Sequence, residues 1–220
     1  MENIGQQRRD FISISQEHTS RIISKQAGKR CGQCWLDSRE ACICHKLPKL
    51  TFIRTKFLIY QDYKEFLNPG DDAKLLMCTS REQTQLVLYP HQDQILLDSL
   101  EGRTCNDVCI LFPSEASLTL DEYCSQCLTD SGIDWKFELS GRTRCSEKIA
   151  HTDFAGSVET DGDETLKPIL TVILIDAVWR HARKMANHLR DIAPWVPRVQ
   201  LSPQQLSVYA RKQTQVQVTI

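Results

Sequence analysis

The sequence predicts an α/β protein built on a mostly parallel sheet with flanking helices. Short apolar strands alternate with helical segments along the chain, which is the pattern of this class. The run at residues 168–175 is apolar or β-branched throughout after its proline, as in a strand buried on both faces. The 220 residues are 41% hydrophobic and 25% charged, so the chain can form a core and is not disordered as a whole.

Each element has its own local signal. Strands are predicted where β-branched and aromatic residues concentrate, at residues 55–60, 85–89, 108–112 and 168–175. Helices are predicted between and after them, at residues 71–84, 120–128 and 179–191. Asp71 or Asp72 is the expected N-cap of the first helix. Pro113 ends the third strand because proline cannot continue a ladder.

Three segments are predicted along the chain. Residues 1–28 are expected to be a flexible or weakly helical N-terminal extension, and residues 29–50 are dense in cysteine. Residues 51–220 form the α/β domain. Within it, the polar and acidic stretch at about 140–167 shows no periodic pattern and is expected to be a surface insertion or flexible loop.

The charge of the chain is unevenly distributed. Taken as a total, the formal net charge of -1 argues against a nucleic-acid partner. However, residues 1–60 carry a net +6, residues 61–170 a net -12 and residues 171–220 a net +5. Such asymmetry is typical of a protein with a polyanionic partner. A solvated acidic insertion between two ordinary segments accounts for the composition equally well.

Four cysteines fall within fourteen residues, in the pattern Cys31-x2-Cys34-x7-Cys42-x-Cys44. Four thiolates suit the tetrahedral preference of zinc, and Cys-x2-Cys supplies two of them from one tight turn. The predicted zinc is structural because protein fills all four positions. An iron–sulfur cluster also takes four thiolates and is not excluded by the spacing. A second and looser group comprises Cys105, Cys109, Cys124 and Cys127. A metal site is less favoured there than at the first cluster.

The cysteines and the N-terminus also indicate a compartment. Residues 1–30 are polar and hold no signal-peptide core, and no apolar run approaches the ~20 residues that span a bilayer. Clustered cysteines in a reducing compartment more often bind metal than form disulfides. The expectation is an intracellular protein, cytoplasmic or nuclear, with no membrane partner.

A carboxylate stands where the last apolar strand ends. Asp176 follows that strand, and Trp179 lies in the first turn of the next helix. Ligands of open α/β sheets collect at the carboxyl ends of strands. Asp176 is therefore a candidate to cap the helix, to orient the amino group of a ligand or to act as a base. Trp179 is a candidate for stacking on a ligand or for packing in the core.

These residues carry a family resemblance. Asp176-x-x-Trp179, followed by Ala182-x-Lys184-Met185, resembles the signature of the DTW-domain family. The cysteine cluster with Leu47-Pro48 resembles the N-terminal zinc knuckle of many members. Further similar segments are residues 57–65, 111–116, 197–201 and 209–212, so the resemblance covers about residues 31–220.

The resemblance implies a SPOUT-like sheet with a C-terminal knot. It also implies transfer of the 3-amino-3-carboxypropyl group of S-adenosylmethionine to N3 of uridine in tRNA, giving acp3U. The implied catalytic residues are Asp176 and Trp179. The implied cofactor-binding residues are Glu65, Pro113, Ser114 and Asp176. The predicted RNA-binding residues, basic and at helical or late-strand positions, are Arg180, Arg183, Lys184, Arg211 and Lys212.

The chain departs from the family pattern in four places. Ala177-Val178 replaces the usual Gly-Thr, Asp62-Tyr63 replaces His-Pro, and Asp71-Asp72 replaces Asn-Thr. Members also run past Ile220 into a last helix, so a C-terminally shortened member is expected. The alternative function is therefore a catalytically impaired RNA-binding relative with a structural zinc. A third is a zinc-containing interaction module without an RNA partner.

Overall fold

The computed structural model describes residues 2–38, 40–50, 52, 55–127 and 170–201. Its centre is a sheet of six parallel strands in the order β2-β1-β5-β3-β6-β4. The strands are β1 (Thr55–Asp62), β2 (Thr84–Tyr89), β3 (Val108–Leu111), β4 (Leu118–Thr119), β5 (Leu170–Asp176) and β6 (Arg198–Gln200). The α/β class and the parallel sheet predicted from the sequence are thereby confirmed.

Five α-helices flank the sheet in the described residues. They are α1 (Glu2–Gln26), α2 (Ala73–Thr79), α3 (Asp93–Leu100), α4 (Leu120–Cys127) and α5 (Trp179–Ile192). A short 3-10 helix, Arg81–Gln83, joins α2 to β2. None of the helices in this part of the chain combines the length and apolarity that a membrane crossing requires.

Helices cover the sheet on both faces. One core cluster joins Leu58 and Ile173 of the central strands to Leu96 of α3 and Met185 of α5. The other places Cys109 and Val172 against Tyr123 of α4. Because both faces of the central strands are buried, nearly every side chain of β5 had to be apolar, and this explains the uninterrupted run seen in the sequence.

Helix α5 is amphipathic in a simple way. Ala182, Met185, Ala186 and Leu189 are buried, at the three- and four-residue spacings that place side chains on one helical face. Arg180, Arg183, Lys184 and Arg190 are exposed on the rest of its surface. The sequence prediction of a basic helix starting at Trp179 is correct.

The N-terminal extension, for which the sequence predicts a flexible or weakly helical segment, forms the helix α1. Its contacts are made with distant parts of the chain, which local periodicity does not reveal. The Phe11 ring packs edge-on against Tyr63 and Tyr89, with centroids 6.0 and 5.9 Å away. Ser15 Oγ lies 3.0 Å from His91 Nδ1. These contacts fix α1 beside the carboxyl ends of β1 and β2.

Two other differences concern local signals. Helix α3 was not predicted, since its polar first turn hides the buried Leu96 and Leu100. Helix α2 is shorter than the predicted segment, because the chain turns at Ser80 into the 3-10 helix. The acidic insertion at about 140–167 and the C-terminal knot fall outside the described residues.

Removing a buried side chain from the middle strand should destabilise the protein strongly. Ile173 is 0% exposed between the two neighbouring strands. Ile173→Ala should lower the free energy of unfolding by about 2–5 kcal/mol, through lost transfer energy and a residual cavity. Urea denaturation of the full chain measures this. Ile95→Ala, at a position 43% exposed, should change it by less than about 0.5 kcal/mol; equal effects would contradict the assigned core.

Candidate functional site

The sheet topology gathers polar side chains at one edge. Strands β1, β5 and β3 are adjacent and parallel, so their carboxyl ends meet, and ligand sites of α/β sheets form at this edge. The register pairs Gln61 of β1 directly with Asp176 of β5. Asp176 is half-buried, and it stands at the end of its strand as predicted.

One buried amide holds two carboxylates together. Gln61 Nε2 donates to Asp176 Oδ2 at 2.7 Å and to Asp71 Oδ2 at 2.5 Å. Asp71 precedes α2 and also accepts the backbone N–H of Ala73 at 2.9 Å, which anchors the start of that helix. Gln61 is fully buried, and its Oε1 has no hydrogen-bond partner among the described residues. The cluster therefore presents an unused acceptor beside two acids.

This arrangement perturbs one of the acids. Burial, followed by the nearby charge of Asp176, raises the pKa of Asp71 to about 7. Two carboxylates that share one donor cannot both ionise without repulsion. A cation at this position would relieve that repulsion and would satisfy Gln61 Oε1.

The next residue of β1 faces the other side of the sheet. Strand side chains alternate, so Asp62 points towards α5, where its Oδ2 lies 2.5 Å from His181 Nδ1. Asp62 is 4% exposed, and its Oδ1 accepts the Lys64 backbone N–H at 3.1 Å. Nδ1 of His181 can donate to this carboxylate, and in the neutral ring that carries its proton on Nδ1, Nε2 is an acceptor.

The aromatic member of the signature lies against the neighbouring strand. The Trp179 ring stacks on Phe112, with centroids 5.4 Å apart and planes at 16°. Trp179 remains 44% exposed, so it combines a packing contact with a surface available to a ligand. Pro113 and Ser114 follow Phe112 at the end of β3, and Ser114 Oγ is 2.7 Å from Ser117 Oγ.

The remaining predicted site residues are more dispersed. Glu65 lies in the turn after β1, where its Oε2 accepts the Asn68 side-chain amide at 3.0 Å. Arg180, Arg183 and Lys184 share the exposed face of α5. Arg211 and Lys212 lie outside the described residues.

The four predicted thiols converge on one point. The Sγ atoms of Cys31, Cys34, Cys42 and Cys44 all lie within 4.8 Å of one another. The Cys31–Cys44 and Cys34–Cys42 separations are 3.6 and 3.9 Å. A tetrahedral zinc ion bound at ~2.3 Å requires sulfur atoms about 3.8 Å apart. The four cysteines thus fit a zinc site.

The backbone of this segment, the zinc knuckle of residues 29–50, prepares one thiol for metal. Amides of Cys34 and Gln33 point at the Cys31 sulfur and lower the pKa of Cys31 to about 6, which favours the thiolate that a metal requires. Burial, with the neighbouring Cys31 thiol, raises the pKa of Cys44. Without a cation the cluster therefore cannot hold four negative charges.

The zinc knuckle supports the loop that carries Asp71. The guanidinium of Arg30 donates to the Leu67 carbonyl, and Trp35 packs edge-on against Phe66 with centroids 5.6 Å apart. Cys78 of α2, which the sequence analysis had not singled out, places its Sγ 4.0 Å from Cys44 Sγ. The knuckle is thus packed against both ends of the segment 66–78.

The described members of the second cysteine group are not gathered into a cluster of this kind. Cys109 is buried in β3 and Cys105 is exposed, while the side chain of Cys127 is not described. Within the described side chains, the four cysteines of the knuckle are the group that can hold a metal ion. Cys109 belongs to the core beside Tyr123 and Val172.

Three functional candidates were missing from the predicted site. Gln61 is the first polar residue after the apolar run at residues 57–60, and this is an available signal for a strand-end site. Asp71 had been noticed only as a departure from the family pattern and as a helix cap. His181 lies two residues after Trp179, but its pairing with Asp62 depends on the register of β1 and α5.

An all-parallel sheet with carboxylates at its carboxyl edge, preceded by four cysteines placed to hold a metal ion, defines an α/β protein with a potential metal site near its N-terminus. The chain belongs to the DTW family: the DTW domain model matches residues 28–219, nearly the whole chain. This family is associated with tRNA-modifying activity. The chain matches no curated protein and no solved structure.

The four-cysteine cluster should bind one zinc ion per chain. Cys31→Ser removes one of four ligands, and we expect zinc to be lost and the melting temperature to fall, because metal binding contributes to folding. Elemental analysis by mass spectrometry, with a thermal melt, checks both. Cys105→Ser, at an exposed thiol, should keep the metal. If the purified protein instead contains iron and absorbs visible light, the cluster holds iron and sulfur, and the zinc assignment is wrong.

Asp71 should make stability depend on pH. Its ordinary pKa is 3.8 and rises to about 7 in the folded chain, so the folded state binds the proton more tightly. The stabilisation is complete below the lower value and is lost as pH rises through the higher one. Between about pH 4.5 and about pH 8, wild type should lose about 1–3 kcal/mol more than Asp71→Asn.

Urea denaturation at both pH values measures this difference. Asp72→Asn is the matched control, because Asp72 is the neighbouring carboxylate and is exposed. It should follow wild type. A parallel pH dependence in wild type and Asp71→Asn would show that Asp71 is ionised normally.

Proposed function

We propose that the protein transfers the 3-amino-3-carboxypropyl group of S-adenosylmethionine to N3 of uridine in tRNA. The observation that carries this proposal is the Gln61–Asp176–Asp71 cluster at the carboxyl edge of the sheet in a DTW-family chain. When bound, S-adenosylmethionine supplies a carbon activated by the adjacent sulfonium.

The acidic cluster suits the amino group of that co-substrate. An ammonium has three donors. Asp176, Asp71 and the unpartnered Oε1 of Gln61 offer acceptors within one cluster. A bound ammonium would favour ionised Asp71 over the protonated form that burial favours in its absence. Asp176 then acts by orienting the transferred group, since alignment is the main requirement of an alkyl transfer to a weak nucleophile.

Trp179 supports the same proposal from the other side of Asp176. Its partly exposed ring is fixed by stacking on Phe112. A fixed aromatic surface can contact a sulfonium or stack on a base at little entropic cost. Pro113 and Ser114, directly after Phe112, extend this surface along the end of β3.

The tRNA partner is supported by charge. Arg180, Arg183, Lys184 and Arg190 are exposed on α5, and this helix starts at the proposed site. Contacts of Arg and Lys with phosphates provide much of the affinity for nucleic acid and make it depend on salt. The zinc knuckle adds exposed Lys29, Lys46 and Lys49.

Loss of the Asp176 charge should weaken co-substrate binding. Asp176→Asn keeps the side-chain shape but removes a charge-assisted hydrogen bond of about 1.5–3 kcal/mol. We expect the affinity for S-adenosylmethionine, measured by calorimetry, to fall about tenfold or more. In cells that lack the gene, the wild-type chain should restore acp3U in tRNA and Asp176→Asn should not.

Asp191→Asn is the control, because Asp191 is an exposed carboxylate near the far end of α5. It should bind S-adenosylmethionine as wild type does. A folded wild-type chain that gives no heat with S-adenosylmethionine, but binds tRNA in a salt-dependent way, would favour the catalytically impaired RNA-binding relative.

A further inference from the structure

A second concave site lies on the opposite face of β1 from the acidic cluster. It is a cavity of about 340 Å³ between α1, the carboxyl ends of β1 and β2, and the first turns of α5. Its volume is at the small end of the range for ligand sites. Because Gln61 and Asp62 are consecutive, the two sites are separated by the backbone of one strand end.

The walls of the cavity are aromatic. Phe11 of α1, Tyr63 after β1 and Tyr89 at the end of β2 line it. The Phe11 ring meets the Tyr63 and Tyr89 rings edge-on, with interplanar angles of 73° and 66°. Flat apolar walls of this kind suit a planar heterocycle, as in proteins that bind unstacked bases of RNA.

The polar groups of the cavity are few and specific. His181 lines it with its Nδ1 held by Asp62 at 2.5 Å. The opposite ring atom, Nε2, has no hydrogen-bond partner in the part of the chain that the structure describes, and it is an acceptor when the neutral ring carries its proton on Nδ1. A ligand that places a ring N–H there can donate a hydrogen bond to Nε2, whereas a ligand that places a ring-nitrogen lone pair there cannot.

Two cations stand at the cavity as well. Lys64 and Lys184 line it, and both are exposed. Lys184 follows His181 by three residues on α5, so the two side chains project from the same side of the helix. A ligand that places its ring against His181 would bring an attached phosphate towards these ammonium groups.

We infer that this cavity binds the acceptor uracil of the RNA, with N3–H donating to Nε2 of His181 and the flanking phosphate near Lys64 and Lys184. This inference rests on the proposed function and names the substrate subsite. Uracil is the pyrimidine of RNA with a donor at N3, whereas cytosine has an acceptor there. His181 is then a catalytic residue, and Asp62 is the positioning residue that sets its tautomer.

The same contact accounts for the proton of the reaction. The N3–H bond breaks first, as its proton passes to Nε2 of the neutral His181 ring and its electron pair stays on N3. That pair then forms the bond to carbon, and the pair of the carbon–sulfur bond leaves with sulfur as a neutral thioether. Asp62 stabilises the resulting imidazolium.

Nucleotide titrations test the subsite directly. Uridine 5′-monophosphate is added to the full chain while the His181 ring resonances, assigned with His181→Gln, are followed by NMR. We expect these resonances to shift. Cytidine 5′-monophosphate and 3-methyluridine 5′-monophosphate, which lack the N3–H, should bind about tenfold more weakly or worse. Equal binding of the three, or no shift of His181 at millimolar nucleotide, would overturn the inference.

Variants separate the subsite from its surroundings. His181→Gln should lose the preference for uridine 5′-monophosphate over its 3-methyl form and should keep its affinity for S-adenosylmethionine. His188→Gln is the matched control, because His188 lies on the same helix and also meets a carboxylate, Asp93, at 2.7 Å. It should keep both properties. If His181→Gln fails to fold, Phe11→Ala, which removes one wall, should weaken the nucleotide and spare the co-substrate.

Two further outcomes distinguish the ligand and the proposals. Unmodified tRNA should displace uridine 5′-monophosphate; persistence of the nucleotide signal with tRNA bound would identify a free-nucleotide site and contradict an RNA acceptor. If the chain binds S-adenosylmethionine but uridine 5′-monophosphate shifts no His181 resonance, the proposed function stands and the uracil subsite is wrong. If uridine 5′-monophosphate shifts His181 in a chain that does not bind S-adenosylmethionine, the subsite stands and the proposed function is wrong.

Discussion

The site depends on one buried amide that holds two carboxylates. Gln61 lies within the sheet, is fully buried, and donates to both Asp71 and Asp176. Its position follows from the β1–β5 register, which pairs it with Asp176. Its Oε1 is left unsatisfied, and an unsatisfied buried acceptor costs about 1–3 kcal/mol. The unsatisfied acceptor and the raised pKa of Asp71 both mean that this cluster destabilises the fold when no cation is bound. A bound cation would relieve both costs, so the cluster favours cation binding.

The zinc knuckle is part of the same arrangement. Asp71 stands in the segment that joins β1 to α2. Arg30 and Trp35 of the knuckle hold Leu67 and Phe66 of this segment, and Leu67 has a left-handed backbone conformation with φ of 60° that is unusual for a bulky residue. Cys78 contacts the knuckle at the end of α2. A metal that orders the knuckle therefore also orders the position of one acid of the site.

Local patterns in the sequence were enough for β1, β2, β3 and β5, for the basic helix α5 and for the four-cysteine cluster, but not for the short strands β4 and β6. The reason is that β5 is buried on both faces, α5 on one, and the four thiols lie within fourteen residues. They were not enough for α1, whose contacts reach Tyr63 and His91, or for the pairing of Asp62 with His181, which are 119 residues apart. Asp176 and Trp179 are candidates from the sequence alone because the strand end and the signature coincide. Gln61 required the sheet register.

The departures from the family pattern acquire a different meaning when they are placed in the fold. In the pattern that the chain resembles, a histidine stands where this chain has Asp62, and its loss alone would argue for an impaired site. Asp62 instead holds the imidazole of His181, which enters the same edge from α5. The chain thus keeps an imidazole at the carboxyl end of β1, and it gains a carboxylate that fixes the imidazole tautomer. The second departure, at Asp71, adds an acid beside Asp176 and strengthens the attraction for a cation. Both substitutions change how the site is built while leaving groups that can orient a cation and accept a proton.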